Sequence, residues 1–278
     1  MVLNFFKWYR GGTPALRTPL LFLHGLGGTG RIWRPIAAGL EEEVPCFAPD
    51  QRGHGQSRPV PSGEESHFHA LDYAQDLIEL LDREHLEHVH LVGHSMGVRS
   101  ALALCSLAPD RIKSLLAVDI GISSAWGGGI GEPLAAFIQQ LPRSFPDRTT
   151  MRDHLFSQCP DPAIAQYLSA VAQLRAGPPD HWEFPFDHEA LVRTIRQAHE
   201  APIGEWLRKT LQHDIPCTFL RGADSRVWLK PDYEAQKAEY AHPLLQFEEW
   251  ENCGHGLPFE QRARFTEALR SLTDPCQQ

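Results

Sequence analysis

Short apolar runs alternate with longer segments of helical period through the first part of this chain. Leu3 to Trp8 and Leu20 to Leu23 read as strands separated by the turn Gly11-Gly12-Thr13-Pro14, and Cys46-Phe47-Ala48 is a short strand closed by Pro49-Asp50. In Leu71 to Asp82, residues Leu71, Ala74, Leu77, Ile78 and Leu81 recur at helical spacing, which predicts an amphipathic helix with that face inward. Val89 to Val92 and Ser114 to Val118 are apolar strands flanking a helix-forming stretch, Val98 to Leu107. Strands and helices in this alternation predict a mostly parallel sheet covered by helices on both faces, an α/β fold.

The rhythm breaks near Ile122. Gly127-Gly128-Gly129 leads into a mostly helical region punctuated by prolines and rich in aromatics, which reads as an inserted helical cap. The strand pattern resumes with Cys217 to Leu220 and Leu244 to Trp250, and Pro231 to Tyr240 and Phe259 to Leu272 read as covering helices. The expected organisation is one core interrupted by the cap, with boundaries at 1–121, 122–213 and 214–278.

A formal charge of −9 offers no cationic footprint, so neither a nucleic acid nor an anionic membrane is an expected partner. No apolar stretch approaches the length of a membrane span, and the start lacks the apolar region and cleavage site of a secretory signal. The six cysteines are scattered without a CxxC pair, which favours reduced thiols and a cytoplasmic setting. Nothing at metal-ligand spacing suggests a metal, and the Gly25 to Gly28 loop has neither dinucleotide-binding nor P-loop spacing, so no cofactor is expected. Monomer and homodimer are both compatible with the sequence.

Candidate chemistry centres on Gly93-His94-Ser95-Met96-Gly97, at a strand-to-helix junction. A serine framed by glycines two positions away on each side suits a strained elbow that lifts the hydroxyl out of the sheet. A serine hydroxyl needs a base, and the base needs an orienting acceptor. The base candidate is His255 in Asn252-Cys253-Gly254-His255-Gly256, just past the last strand, while His94 is expected to point away as a packing residue. Two carboxylates compete for the acceptor role. Asp119 closes the strand beside the one carrying Ser95, and Asp224 follows the strand Cys217 to Leu220. An aspartate closing an apolar strand must be hydrogen-bonded to tolerate burial, which inclines the choice to Asp119. The backbone N–H groups of Met96 and Leu26 are the expected oxyanion donors.

Together these residues resemble the α/β-hydrolase family over almost the whole chain. His24-Gly25-Leu26-Gly27-Gly28 looks like its oxyanion loop, Asp50-Gln51-Arg52-Gly53-His54-Gly55-Gln56-Ser57 like its Asp-x-Arg-Gly-x-Gly-x-Ser turn, and Gly254-His255 like its histidine motif. The family's usual acid lies in Gly-x-x-Asp after the penultimate strand, where this chain has Gly222-Ala223-Asp224-Ser225. A branch of small bacterial esterases and related mitochondrial hydrolases takes the acid instead from the strand after the nucleophile helix. Val118-Asp119-Ile120 is similar to that pattern.

The resemblance implies a serine esterase acting on carboxylic or thioesters of small to medium apolar acids, with a small-molecule ester as its partner. Serine at the elbow argues against haloalkane dehalogenase and epoxide hydrolase chemistry, which use aspartate there. Trp126, Phe137, Phe145 and Trp182 are expected to line the acyl pocket. Arg99 resembles an arginine of menaquinone-pathway lyases that would read a substrate carboxylate, although a solvated or salt-bridged helix arginine is the commoner role. A carbon–carbon hydrolase or lyase, which would need a cation such as Arg99 or Arg52 in the pocket, and a non-catalytic binding protein on the same fold are the alternatives.

Overall fold

The computed structural model describes residues 1–10, 17–58, 67–123 and 129–274. Strands β1 (Phe5–Trp8), β2 (Leu20–Leu23) and β3 (Cys46–Pro49) come first, with a short helix α1 (Arg34–Ala37) between the last two. Helix α2 (Ala70–Arg83), strand β4 (Val89–His94), helix α3 (Met96–Leu107) and strand β5 (Ile112–Val118) follow. The chain closes with α8 (Ile203–Gln212), β9 (Cys217–Gly222), α9 (Lys230–Glu239), β10 (Leu245–Trp250), α10 (Leu257–Glu260) and α11 (Arg262–Leu272).

The main sheet runs β1-β3-β2-β4-β5-β9-β10, with β1 antiparallel to β3 and every other pairing parallel. Parallel strands buried on both faces must be apolar at consecutive positions, and Leu20-Leu21-Phe22-Leu23 is buried throughout. Its alternation sorts the two layers. Leu21 and Leu23 join Leu77, Leu81, Val98 and Leu102 under α2 and α3, while Leu20 and Phe22 join Trp33, Phe265 and Leu269 under α1 and α11. At about 1.5–3 kcal/mol per fully buried large aliphatic or aromatic side chain, these two layers dominate the favourable side of folding.

Two sequence expectations shift by a few residues. In α2 the inward face is Tyr73, Ala74, Asp76, Leu77, Leu80 and Leu81, and Leu71 is 43% exposed. The helix is turned because Asp76 is drawn inward to the Arg52 guanidinium (Nε to Oδ2 2.6 Å) and the Tyr73 hydroxyl meets Thr194 Oγ1 at 2.6 Å. The C-terminal helix is broken at Gln261, whose φ of −115° and ψ of 45° separate α10 from α11.

The segment between β5 and β9 contains α4 (Gly131–Gln140), α5 (Arg148–Gln158), α6 (Pro162–Val171) and α7 (His188–Gln197), besides α8. Asp147, Asp161 and Asp187 cap α5, α6 and α7 by accepting backbone N–H groups of their first turns. A small antiparallel sheet, β6 (Ser144–Phe145), β8 (His181–Glu183) and β7 (Gln173–Arg175), was not foreseen, because two- and three-residue strands carry no periodic signal. This segment has its own apolar centre around Phe145, Met151, Phe184 and Phe186. Helix α8 instead packs Ile203, Trp206, Leu207 and Leu211 into the layer beneath α3.

Candidate active site

The sheet register brings the site together. His94 at the end of β4 is level with Val118 at the end of β5, so Ser95 and Asp119 leave adjacent strands side by side. Val118 is level with Leu220 on β9, and Gly222 with Trp250 on β10, which delivers Ser225 and His255 to the same edge. Carboxyl ends of parallel strands converge in this way irrespective of separation in sequence.

Ser95 has φ 55° and ψ −122°, a left-handed backbone that side chains other than glycine rarely adopt. It is retained because the turn is clamped: Ser95 N–H donates to Val118 (2.9 Å) and its own carbonyl accepts from Val98 N–H (2.9 Å). A Cβ on Gly97 would lie 2.4 Å from the Leu23 carbonyl oxygen, and one on Gly93 would lie 2.8 Å from the Gly97 carbonyl oxygen. The flanking glycines are therefore required by backbone crossing.

His255 Nδ1 lies 2.8 Å from Asp119 Oδ2. Asp119 is fully buried, and besides His255 its carboxylate accepts from Gly222 N–H (2.9 Å, on Oδ1) and Ser225 O–H (2.5 Å, on Oδ2). Ser225 Oγ in turn accepts from Val227 N–H (3.2 Å) and Trp228 N–H (3.3 Å). Asp224 is exposed, and its backbone N–H donates to Cys253. Of the two aspartates weighed from sequence, the fold brings Asp119 to the imidazole and leaves Asp224 at the surface. Ser225, which stands where the family's usual acid would be, is a donor to Asp119.

His94 does not point away. It lines the same cavity as Ser95, its ring lies 4.7 Å from that of His255, and its Nε2 is 2.8 Å from the His255 carbonyl oxygen. Burial, with the adjacent His255, pushes its pKa down to about 3, so the neutral ring donates Nε2–H and fixes the backbone of His255.

Leu26 lines the cavity, and Met96 opens α3, where the first N–H groups have no intrahelical acceptor. Two histidines that sequence reasoning did not single out hold the Leu26 loop. His24 donates Nδ1–H to the Gly25 carbonyl (2.8 Å) and accepts Gln51 N–H on Nε2 (3.0 Å). His54 donates Nδ1–H to the Arg52 carbonyl (2.9 Å) and accepts Gly27 N–H on Nε2 (3.0 Å). Each must be neutral to accept a backbone N–H. Burial pushes their pKa values down to about 4 and about 3. Their signal was already present in the His-Gly and Arg-Gly-His-Gly motifs.

The cavity over Ser95 has a volume of about 80 Å³. Its walls are aliphatic, chiefly Leu134 and Ile138 from α4, Ile164 and Leu168 from α6, and Leu191 from α7. Phe137, Phe145 and Trp182, expected as lining, are absent from its described wall. Phe137 and Phe145 pack beside His154 within the insertion's own core, and Trp182 on β8 lies under the Arg148 guanidinium, 5.5 Å away. The expectation failed because the insertion needs its aromatics to hold itself together. Trp126 lies outside the described residues.

Arg99 is neither solvated nor in this cavity. It is 4% exposed, donates Nη1–H to the Ala198 carbonyl at 2.9 Å, and lines a separate small void with Tyr73 and Met96. Burial lowers its pKa to about 10. Arg52 is engaged by Asp76. The polar residues that do reach the cavity, and that the sequence reading missed, are Asp161, Tyr167 and Arg226. The Tyr167 hydroxyl is buried with no hydrogen-bond partner among the described residues, and a Cβ on Gly28 would lie 2.4 Å from it.

A sequence-family model described as the alpha/beta hydrolase family matches residues 20–268. Among curated proteins, a 2-(acetamidomethylene)succinate hydrolase of Mesorhizobium japonicum is 34% identical over 100 residues, 36% of this chain. That match covers 34% of the relative, so the chain spans about a third of the length of the protein it matches. An sn-1-specific diacylglycerol lipase of Mus musculus is 27% identical over 264 residues, covering 91% of this chain and 80% of the lipase. Among solved structures, a marine microorganism esterase superposes with a TM-score of 0.76 at 22% identity, covering 97% of this chain and 98% of the esterase. No described helix is long and apolar enough to cross a membrane.

Proposed function

This chain belongs to the alpha/beta hydrolase family, and from that premise we propose that it is a serine hydrolase cleaving carboxylic esters of small to medium apolar acyl groups. The observation that carries the reading is the pairing of His255 Nδ1 with the buried Asp119 carboxylate at 2.8 Å, beside a serine at φ 55° in the same cavity. Ser95 attacks the acyl carbon as His255 removes its proton, and Asp119 holds the imidazole with Nδ1–H toward its carboxylate. The N–H groups of Leu26 and Met96 receive the oxyanion, with the N-terminus of α3 adding to the favourable field. His255 then protonates the departing alcohol, and water releases the acyl group by the reverse sequence.

The aliphatic wall supports an apolar acyl group, and we take the insertion as the cap that forms that wall. Each relative's name describes a hydrolase, a lipase or an esterase, which supports hydrolysis of an acyl bond. The carbon–carbon alternative needs a cation in the pocket; Arg99 and Arg52, its candidates from sequence, are engaged elsewhere, and the described cation of the wall is Arg226. Free cysteines, four of the five described being buried, fit a reducing, cytoplasmic setting within the same reading.

A fluorophosphonate probe tests the nucleophile, and a p-nitrophenyl ester series tests the substrate. Stoichiometric labelling lost in Ser95→Ala, with turnover highest for short to medium chains, is the expected result. A folded protein that neither labels nor turns over any ester would overturn the proposal in favour of a binding protein.

A further inference from the structure

The aliphatic cavity contains a small set of polar side chains, and most have a duty. Ser95, His94 and His255 belong to the site itself. Asp161 Oδ1 accepts the N–H groups of Ala163 and Ile164, so the N-terminus of α6 balances its charge. The Tyr167 hydroxyl is buried without a partner among the described residues but carries no charge, which leaves Arg226. It is exposed, lines the mouth, and has no ion pair among the described residues.

The chain has 35 acidic residues against 26 lysines and arginines, and the neighbouring cations on either side of Arg226 have found carboxylates. Arg221 pairs with Glu249, and Lys230 with Glu249 and Glu234. The base of Arg226 is nevertheless held firmly. Ser225 before it is bound to Asp119, and Val227 and Trp228 after it donate to Ser225 Oγ. A rigidly rooted arginine beside the site, with its guanidinium uncommitted, has the geometry of a carboxylate reader. An uncharged, wholly apolar substrate passing that mouth would gain nothing from the cation and would strip part of its hydration.

We infer that Arg226 recognises a carboxylate on the substrate, so that the preferred ester carries an apolar segment and a negative charge. This rests on the ester-hydrolase reading for the bond that is cleaved, and on the cavity alone for the charge. The loop bearing Arg226 follows β9, on the His255 side of Ser95 and opposite the Leu26 loop after β2. The charge can come from the acyl part, as in a half-ester of a dicarboxylic acid, or from the alcohol part, as in an ester of a hydroxy acid.

Binding and turnover separate this inference from the reading beneath it. Calorimetry on the Ser95→Ala protein compares monoethyl adipate with ethyl hexanoate, and the acetate ester of 4-hydroxybutyrate with butyl acetate. At least one anionic ligand should bind about tenfold tighter than its neutral counterpart, and Arg226→Gln in the same background should abolish that ratio while Arg226→Lys keeps part of it. Which pair responds identifies the side that carries the charge. In the active protein, the anionic-to-neutral ratio of kcat/KM should fall about tenfold on Arg226→Gln. Equal binding of both members of both pairs, or a preference that survives Arg226→Gln, overturns the inference even if esters are hydrolysed rapidly. An anionic preference lost in Arg226→Gln, without turnover of any ester, would sustain the inference and overturn ester hydrolysis instead.

Discussion

Replacing Ser225 by alanine tests the site through a residue that never touches substrate. The hydroxyl donates at 2.5 Å to the same Asp119 oxygen that meets His255, and it accepts two longer backbone bonds at 3.2 and 3.3 Å. A hydrogen bond to a buried charge contributes about 1.5–3 kcal/mol, and the two weaker acceptor bonds add up to about 1 kcal/mol together. Unfolding free energy should therefore fall by about 2–4 kcal/mol, which lowers the melting midpoint of a chain this size by about 3–7 °C. Gly222 N–H still holds the other oxygen of Asp119, so the carboxylate stays in place but swings more freely. Loss of that orientation should reduce kcat/KM for a p-nitrophenyl ester about ten- to hundredfold, with most of the loss in kcat. Ser225→Thr keeps the hydroxyl and should recover most of the rate. Activity within twofold of the parent in a Ser225→Ala protein of lowered stability would refute the orienting role, and unchanged stability would refute the bond itself.

Asp119→Asn should reduce kcat by about a thousandfold or more, because the amide cannot hold the required imidazole tautomer, while the exposed Asp224→Asn should stay within about twofold; a large loss in Asp224→Asn would reassign the acid. His24, His54 and His94 are held with pKa values near 4, 3 and 3, below the ordinary histidine value, so the unfolded chain binds more protons than the native one as pH drops. Their contribution is complete above about pH 6.5 and is lost as pH falls toward 4 and below, on the order of 1–2 kcal/mol per imidazole by pH 5. Urea midpoints should decrease between pH 7.5 and 5, and equal midpoints would contradict it. Tyr167→Phe removes a buried hydroxyl without a described partner and should leave stability unchanged or raise it by about 1 kcal/mol; a fall in melting midpoint would reveal a hydrogen bond there.

Sequence legibility followed the range of the forces involved. Leu20 to Leu23 is the predicted strand and the observed one, because a parallel strand covered on both faces has to be apolar at every position. The spacing of Gly93, Ser95 and Gly97 could be read as a motif, although only the crossing at Gly93, against the Gly97 carbonyl, lies within one turn, and that at Gly97 is made by the Leu23 carbonyl of β2. The inward face of α2 could not, because Asp76 is buried by Arg52, 24 residues away. The aromatics of the insertion were misassigned for a similar reason. Their aromatic side chains mark Phe137 and Phe145 as candidates for burial, but residue type does not say whether a side chain is buried against its own segment or over a cavity.

Composition, strand rhythm and four short motifs determined the α/β architecture, the helical interruption and the candidates for nucleophile and base. Strand register decided which aspartate meets His255. Val118 and Leu220 lie level on β5 and β9, so Asp119, Gly222 and Ser225 meet across 103 and 106 residues of sequence, and Asp224, one position before Ser225, turns outward. Tertiary structure alone set His24 and His54 as clamps of the Leu26 loop, separated Arg99 from the cavity and put Arg226 at its mouth. Local pattern records which residues an element needs to form and bury itself. Which of them face one another depends on contacts between distant strands and loops, and a single sequence carries no local trace of those.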